Sequence, residues 1–205
     1  NLFPIESETD LRISHHILKG DFNYLIDYVL KKSLSSNVDR IQQVLNGLYL
    51  GQYPLHHIYD HLVTPVLYHI GQMWVDDKLS IAEEHIASQA LRDAVIRLQG
   101  LIRLPRKKVG KDLCLNFSNE FHSMALKMVS QILEVKGYKI FYTGQNTPMD
   151  KIENFFENYQ PDRVYVSGTM VEDKDLLTRE FKVICDLCLK YKSKLYVGGK
   201  AFDVI

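Results

Sequence analysis

The sequence predicts an α + α/β protein, with an N-terminal four-helix bundle followed by a flavodoxin-like or Rossmann-like domain built on a parallel sheet. Apolar residues recur at helical spacing in the first half, whereas short apolar runs alternate with helical segments in the second half. Between the halves, residues 104–111 combine a proline with four basic residues, which is typical of a linker. We therefore expect a helical bundle at residues 1–104 and an α/β domain at residues 105–205.

Four helices are expected in the bundle. Asp21 is a good N-cap for the first, and the periodic apolar residues place the others at residues 38–48, 55–74 and 81–103. Residues 1–20 give mixed signals, with a short helix expected around residues 15–18. Pro65 cannot donate a backbone hydrogen bond, so the third helix should kink there. Ser80 and Glu83 have the spacing of a capping box, which indicates that the fourth helix begins at that point.

The second half predicts four parallel strands with helices between them. The expected strands are residues 112–117, 138–142, 163–166 and 195–197, and the expected helices are residues 124–136, 149–158 and 176–191. A doubly wound domain usually adds a fifth strand and a final helix, so we expect a shortened domain or a trimmed chain. Ligands of such sheets bind outside the carboxyl ends of the strands.

Composition excludes several classes of function. The 25 basic and 25 acidic residues balance, and neither half has the basic excess of a nucleic-acid surface. No apolar stretch is long enough to span a membrane, and no leader opens the chain, so a cytoplasmic protein without membrane contact is expected. Three cysteines indicate a reducing compartment. Cys185 and Cys188 form a C-x-x-C within a helical pattern and are expected to be buried apolar residues.

Histidines are frequent in the third helix, where His57 and His61 have the spacing of a metal-binding pair. Without the glutamate of an H-E-x-x-H motif, we interpret them, with His56 and His69, as residues of a polar face. A different group is more informative. Trp74 ends the third helix, and Glu84 and His85 lie in the first two turns of the fourth, so an indole, a carboxylate and an imidazole converge. Alone, this group is also compatible with a packed tryptophan beside two solvated residues.

A second constellation follows the predicted strands. Glu120 and His122 lie two residues apart in the loop after the first strand, so the carboxylate can hold one imidazole nitrogen and present the other to a metal. Ser167 follows the third strand and can complete that relay. Gly198 and Gly199 follow the fourth strand and leave room for a ligand.

The spacing of these residues resembles the cobalamin-binding domain signature, in which Asp-x-His-x-x-Gly, Ser-x-Leu and Gly-Gly follow one another at characteristic separations. Here the three parts are Glu120-x-His122-x-x-Ala125, Ser167-x-Thr169 and Gly198-Gly199. The stretches between them, 126–166 and 170–197, both have lengths that the signature allows. Three positions depart from it. Glutamate replaces aspartate, Thr169 replaces leucine at an apolar contact to the cofactor tail, and Ala125 adds a methyl group where the tail would pass.

The resemblance implies that His122 replaces the cofactor's own dimethylbenzimidazole as the lower cobalt ligand. It also implies that Glu120 and Ser167 tune His122, while the displaced tail enters the domain beside Ser167, Thr169 and the two glycines. The cobalt would carry out the organometallic chemistry, and the protein would orient the cofactor and exclude solvent from it.

A helical module before such a domain resembles the cap that covers the upper face of the corrin. Two families share this plan, namely corrinoid proteins of methyl transfer and light-responsive MerR-type repressors that bind adenosylcobalamin. The repressors are more similar, because their cap carries Trp, nine residues and Glu-His, as Trp74, Glu84 and His85 do here. In that family a histidine that binds cobalt after photolysis follows the tryptophan, whereas this chain has Val75, so the same bis-histidine photoproduct is not expected.

We therefore expect a non-enzymatic sensor module that binds cobalamin between cap and α/β domain. Adenosylcobalamin is favoured over methylcobalamin, and ligand state is expected to control assembly into a homo-oligomer. DNA would be contacted only through a winged-helix domain that these residues do not include. A corrinoid carrier of methyl groups and an interaction domain that has lost the cofactor remain the alternatives.

Overall fold

The computed structural model describes residues 8–204, and the chain divides into one unit of residues 1–102 and a second of residues 103–205. The helical unit contains α1 (Glu8–Lys19), α2 (Phe22–Leu34), α3 (Val38–Leu50), α4 (Leu55–Ile58), α5 (Thr64–Val75) and α6 (Ile81–Leu98). The α/β unit contains β1 (Gly110–Leu115), α7 (Met124–Val135), β2 (Tyr138–Tyr142), α8 (Ile152–Tyr159), β3 (Arg163–Ser167), α9 (Lys174–Tyr191) and β4 (Lys194–Gly198). A 3₁₀ turn, Lys200–Val204, follows β4.

The four expected helices are present, and α1 precedes them as a full twelve-residue helix. The short helix predicted around residues 15–18 belongs to a longer one, because α1 runs from Glu8 to Lys19. Of the first twenty residues, for which the sequence gave mixed signals, residues 1–7 lie outside the described part of the chain. The helix expected to reach residue 103 ends at Leu98, where Gln99 and Gly100 turn the chain, since glycine is a poor helix former.

The kink expected at Pro65 takes the form of a π-helical turn, Tyr59–Val63, between α4 and α5. The amide of Thr64 bonds to the carbonyl of Tyr59, five residues earlier. This longer hydrogen bond gives the proline ring room at the start of α5, where its missing N–H is not needed.

The core of the helical unit is centred on α6, which packs against α2, α3 and α5. Its inward face is rich in alanine, and small side chains allow neighbouring helices to approach closely. The fully buried residues of α6 include Ala87, Leu91, Ala94 and Val95. At its start, the Ser80 amide donates to Glu83 Oε2 at 2.8 Å and the Glu83 amide donates to Ser80 Oγ at 3.3 Å, which confirms the capping box.

The four strands form one parallel sheet in the order β2-β1-β3-β4. One face, which includes Leu113, Leu115 and Val166, packs against α8 and α9, while Cys114 and Tyr165 face α7. β1 was expected at residues 112–117 but spans Gly110–Leu115. It begins earlier because Gly110 and Lys111 already pair with β2, and it ends earlier because the chain after Leu115 belongs to the loop. From β1 the chain continues to β2 on one side of the sheet, and from β3 it continues to β4 on the other side. The carboxyl ends of β1 and β3 therefore flank the switch in strand order.

The amino edge of the sheet carries a buried ion pair. Asp112 is fully buried and accepts hydrogen bonds from Arg163 Nε at 2.9 Å and from a terminal guanidinium nitrogen at 2.6 Å. The guanidinium also stacks on Tyr138, 3.4 Å from the ring centroid. The bidentate pair therefore fixes the register of β1 and β3 at the edge away from the candidate site.

Candidate functional site

Glu120, in the loop after β1, is the buried centre of the site, with 4% of its surface exposed. Its Oε1 accepts hydrogen bonds from the His122 amide at 2.7 Å and from His122 Nδ1 at 2.8 Å. Its Oε2 accepts the amides of Thr169 and Met170, the latter at 3.1 Å. One carboxylate thus joins the loop after β1 to the loop after β3.

The pKa of Glu120 is lowered from its ordinary value. Burial is the largest influence and acts to raise the pKa, but the hydrogen bonds from the His122 ring and from the amides of Thr169, His122 and Met170 together outweigh it. The group is therefore an anion at neutral pH. An ionised carboxylate only accepts hydrogen bonds, so the proton between the two side chains belongs to Nδ1 of the imidazole.

His122 presents this oriented imidazole at the surface, with 58% of the side chain exposed. In a neutral ring with the proton on Nδ1, the lone pair lies on Nε2, which is the nitrogen suited to a metal. The apolar side chains of Phe121 and Met170 are 54% and 58% exposed. The site therefore combines an oriented nitrogen donor with an apolar surface.

The loop after β2 fastens the His122 loop from one side. Asn119 has a positive φ of 63° and donates its amide to Asn146 Oδ1 at 2.9 Å. Asn146 in turn donates its amide to the Glu120 carbonyl at 2.9 Å, and Gln145 Nε2 donates to the Phe121 carbonyl at 2.5 Å. Backbone groups on both sides of Glu120 are therefore held by one neighbouring loop.

Ser167 ends β3 and is 8% exposed. Its carbonyl accepts Asn116 Nδ2 at 2.8 Å, so it is tied to the residue that follows β1. The link from the β3 loop to Glu120 comes from the backbone of Thr169 and Met170. The expected relay through the Ser167 hydroxyl stays a prediction, as does an apolar role for position 169.

The two glycines after β4 differ from one another. A Cβ on Gly198 would meet no atom within 4 Å, whereas Gly199 has a φ of +100° and its Cβ would overlap the Gly168 carbonyl. Gly199 therefore permits close packing of two backbones, and Gly198 borders open space. A groove beside these loops is lined by residues 117–120, 167–168 and 170–173 and by Leu176 and Leu177 of α9.

The helical unit places Trp74 in the last turn of α5, where 46% of it is exposed. Glu84 lies in the first turn of α6, and its Oε2 is 2.5 Å from His85 Nδ1. Its Oε1 accepts the Ser88 hydroxyl at 2.6 Å. His85 is 72% exposed, so it forms a second carboxylate-oriented imidazole at the surface. The structure brings Glu84 and His85 into contact and exposes Trp74 at the end of α5, and the convergence of all three side chains stays a prediction.

Sequence reasoning missed Met170, Asn146 and Ser88 as partners of the site residues. The Met170 amide bonds to Glu120, and the Asn146 side chain bonds to the Asn119 amide. Both contacts join loops that are distant in sequence, so no local sequence pattern predicts them. Ser88, four residues after Glu84, could have been found, because residues at that spacing share a helix face.

The cysteines and the remaining histidines do not extend the site. Burial raises the pKa of Cys188 to about 11 and also raises that of Cys185, so neither is a ready thiolate. The His57 and His61 rings lie 4.1 Å apart beside Phe22 and Tyr53. Within residues 8–204, no group of three or more His, Cys, Asp or Glu residues could hold a metal ion. A search of the same residues for a helix that could span a membrane found none.

Comparison with known proteins finds similarity in both units. Residues 12–99, in the helical unit, match the family model described as B12 binding domain. The HTH-type transcriptional repressor CarH of Myxococcus xanthus is 29% identical over 144 residues, covering 68% of this chain and 47% of that protein. This alignment is longer than either unit, so it includes parts of both. The chain spans about half the length of that curated relative.

Solved structures agree on the fold. The monomethylamine corrinoid protein of Methanosarcina barkeri matches with a TM-score of 0.69 at 14% identity, covering 87% of this chain and 85% of that chain. A cobalamin-binding protein from Desulfitobacterium hafniense matches at 16% identity with a TM-score of 0.41, covering 93% of this chain and 83% of that chain. The comparisons therefore confirm the predicted resemblance: the chain is similar to a transcriptional repressor and contains a region that matches a B12 binding domain.

Proposed function

We propose that this chain is the cobalamin-binding module of a transcriptional regulator, with His122 as the lower ligand of cobalt. The observation that carries the proposal is the Glu120–His122 pair, in which a buried anion orients an exposed imidazole. Nδ1 is engaged by the carboxylate, so Nε2 is the ligating nitrogen, and the anion increases its basicity. Bound cobalamin would supply a reactive cobalt–carbon bond, while the protein would hold and orient the cofactor.

The residues around His122 fit a corrinoid. A nitrogen donor suits cobalt, and the exposed faces of Phe121 and Met170 suit the apolar edge of a large ring. Of the two glycines, Gly198 offers the open space that a cofactor tail would need, whereas the Cβ position of Gly199 is taken by Gly168. The tail would thus pass Ser167, Thr169 and Gly198, and Gly199 would shape the loop.

We expect residues of the helical unit to contribute to cofactor binding. Trp74 exposes an aromatic surface suited to an adenosyl group, and the Glu84–His85 pair offers a second oriented imidazole. This arrangement favours adenosylcobalamin over methylcobalamin. The match of the helical unit to a B12 binding domain supports its participation.

A regulatory role is favoured over catalysis by the similarity to a transcriptional repressor across both units. The module would then change its assembly state with its ligand, and it would act on DNA through a domain outside these residues. The second candidate is a corrinoid carrier of methyl groups, since such a protein shares the fold. An interaction domain without cofactor is the third reading, and failure to bind any corrinoid would support it.

Cofactor titration tests the proposal. Purified protein is mixed with hydroxocobalamin, methylcobalamin and adenosylcobalamin in the dark and after illumination, while absorption spectrum and particle size are followed together. Tight binding of the adenosyl form with a light-dependent change in size supports the regulator. Preferential binding of methylcobalamin, with methyl transfer in the presence of a methyltransferase, supports the carrier.

The identity of the lower ligand is tested with ¹⁵N-labelled protein and unlabelled cobalamin reduced to the Co(II) state. Ligation by His122 predicts a two-line axial splitting in the electron paramagnetic resonance spectrum, whereas the cofactor's own ¹⁴N base gives three lines. His122→Ala should lose the two-line pattern, and His56→Ala, which removes an exposed histidine of the helical unit, should keep it. A three-line spectrum in the unaltered protein contradicts the assignment.

A further inference from the structure

Glu180 is a buried carboxylate on α9 that no motif singled out. It is 7% exposed, and both of its oxygens bond to Ser118, 62 residues away in sequence. Oε2 accepts the Ser118 amide at 3.0 Å and Oε1 accepts the Ser118 hydroxyl at 2.6 Å. A buried carboxylate is expensive unless its oxygens are satisfied, and here one serine satisfies both.

Ser118 lies in the loop after β1, two residues before Glu120. Glu180 holds Ser118 against α9, and the amides of Thr169 and Met170 hold Glu120 two residues later. The position of the imidazole therefore depends on two buried carboxylates, one contributed by the loop and one by the helix beneath it. An apolar residue at position 180 could pack α9 against the sheet, but it could not hold the Ser118 amide.

We propose that Glu180 is a positioning residue for the cobalt-ligating loop, acting on His122 through Ser118. The inference rests on the proposed function, because it concerns the strength of the bond between His122 and cobalt. Loss of Glu180 should leave the Ser118 amide and hydroxyl without their partner and should let the loop sample other positions. The ligand would then be held less well, without removal of any group that touches the cofactor.

The test measures the apparent pKa at which protonation releases His122 from cobalt, followed in the dark by the absorption spectrum of bound adenosylcobalamin, whose alkyl group weakens the lower bond to cobalt. A weaker bond to cobalt competes less well with protons, so release should occur at higher pH. Glu180→Ala should raise this apparent pKa by about one unit, which corresponds to the roughly tenfold loss of metal affinity typical when an outer partner is removed. Glu180→Gln should stay near the unaltered protein, because its amide oxygen can still accept the Ser118 N–H.

Ile184→Val provides the matched control. Ile184 lies one turn further along α9, is fully buried, and belongs to the core beneath the sheet. This variant should lower Tm without changing the release pKa, since it has no bond to the loop. Ser118→Ala, which removes only the hydroxyl contact, should shift the release pKa in the same direction as Glu180→Ala, and it serves if Glu180→Ala fails to fold.

Two different failures can be distinguished. If the ¹⁵N-labelled unaltered protein lacks the two-line spectrum, the proposed function itself is wrong. If that spectrum is present and Glu180→Ala, or Ser118→Ala in its place, lowers Tm while keeping the unaltered release pKa, Glu180 serves stability alone and the positioning role is overturned.

Discussion

At the scale of single residues, the geometry of the site depends on the hydrogen bonds that the Glu120 carboxylate accepts. Glu120 is buried, yet two amides from the β3 loop and two groups of His122 neutralise the penalty of burial. Glutamate in place of the aspartate of the cobalamin signature is compatible with this network, since its longer side chain bonds both its own loop and the next one. The carboxylate chemistry of the motif is therefore retained despite the substitution.

The lowered pKa of Glu120 predicts a pH-dependent stability. Its ordinary value is 4.5, and a depressed pKa in the folded state means that its stabilisation is complete above 4.5 and is lost as the pH falls through the lower, folded value. Glu120→Gln cannot titrate and should flatten the acid limb of the free energy of unfolding, measured by urea denaturation between pH 6 and the acid transition. An unchanged acid limb would assign the loss of stability to other groups. Asp39→Asn, which changes an exposed carboxylate of the helical unit, is the control.

At the scale of elements, the loop after β4 is governed by backbone packing. Gly199→Ala combines a positive φ with an overlap on Gly168, so it should destabilise the α/β unit by about 3 kcal/mol, measured by chemical denaturation. Gly198→Ala is the matched control, because its Cβ meets open space and folding should be unchanged within about 0.5 kcal/mol. If the two variants are equally stable, the close approach of Gly199 to Gly168 does not limit this loop.

The elements also show what sequence can predict. Helices with strong apolar periodicity and side-chain caps, such as α2 and α6, were placed within a few residues, because their signals are local. The π-helical turn before Pro65 was not predicted, since a kink and a widened turn both relieve the same clash. In the candidate site, the sequence predicted the contact between Glu120 and His122. It did not predict the contacts of Glu180 or Asn146, because these link residues distant in sequence.

At the scale of the whole molecule, the proposed function makes a prediction about Val75. Valine cannot ligate cobalt, so if the protein binds adenosylcobalamin as proposed, illumination should not give a bis-imidazole cobalt product. Val75→His should introduce that product, seen as a two-histidine cobalt spectrum after anaerobic illumination, and Val75→Ala should not. A bis-imidazole spectrum in the unaltered protein that is lost in His85→Ala would instead identify His85 as the second ligand.

The buried pair of Asp112 and Arg163 lies at the edge of the sheet opposite Glu120 and His122. The register of the central strands is thereby fixed at one edge of the sheet, and the proposed cofactor site lies at the other edge. Substitutions beside the proposed site, such as those at Ala125 at the start of α7 and Thr169 in the loop after β3, would then leave the alignment of the strands intact. Because the ion pair and the proposed site lie at opposite edges of the sheet, this fold would be able to evolve new ligand specificities without compensating changes in its core.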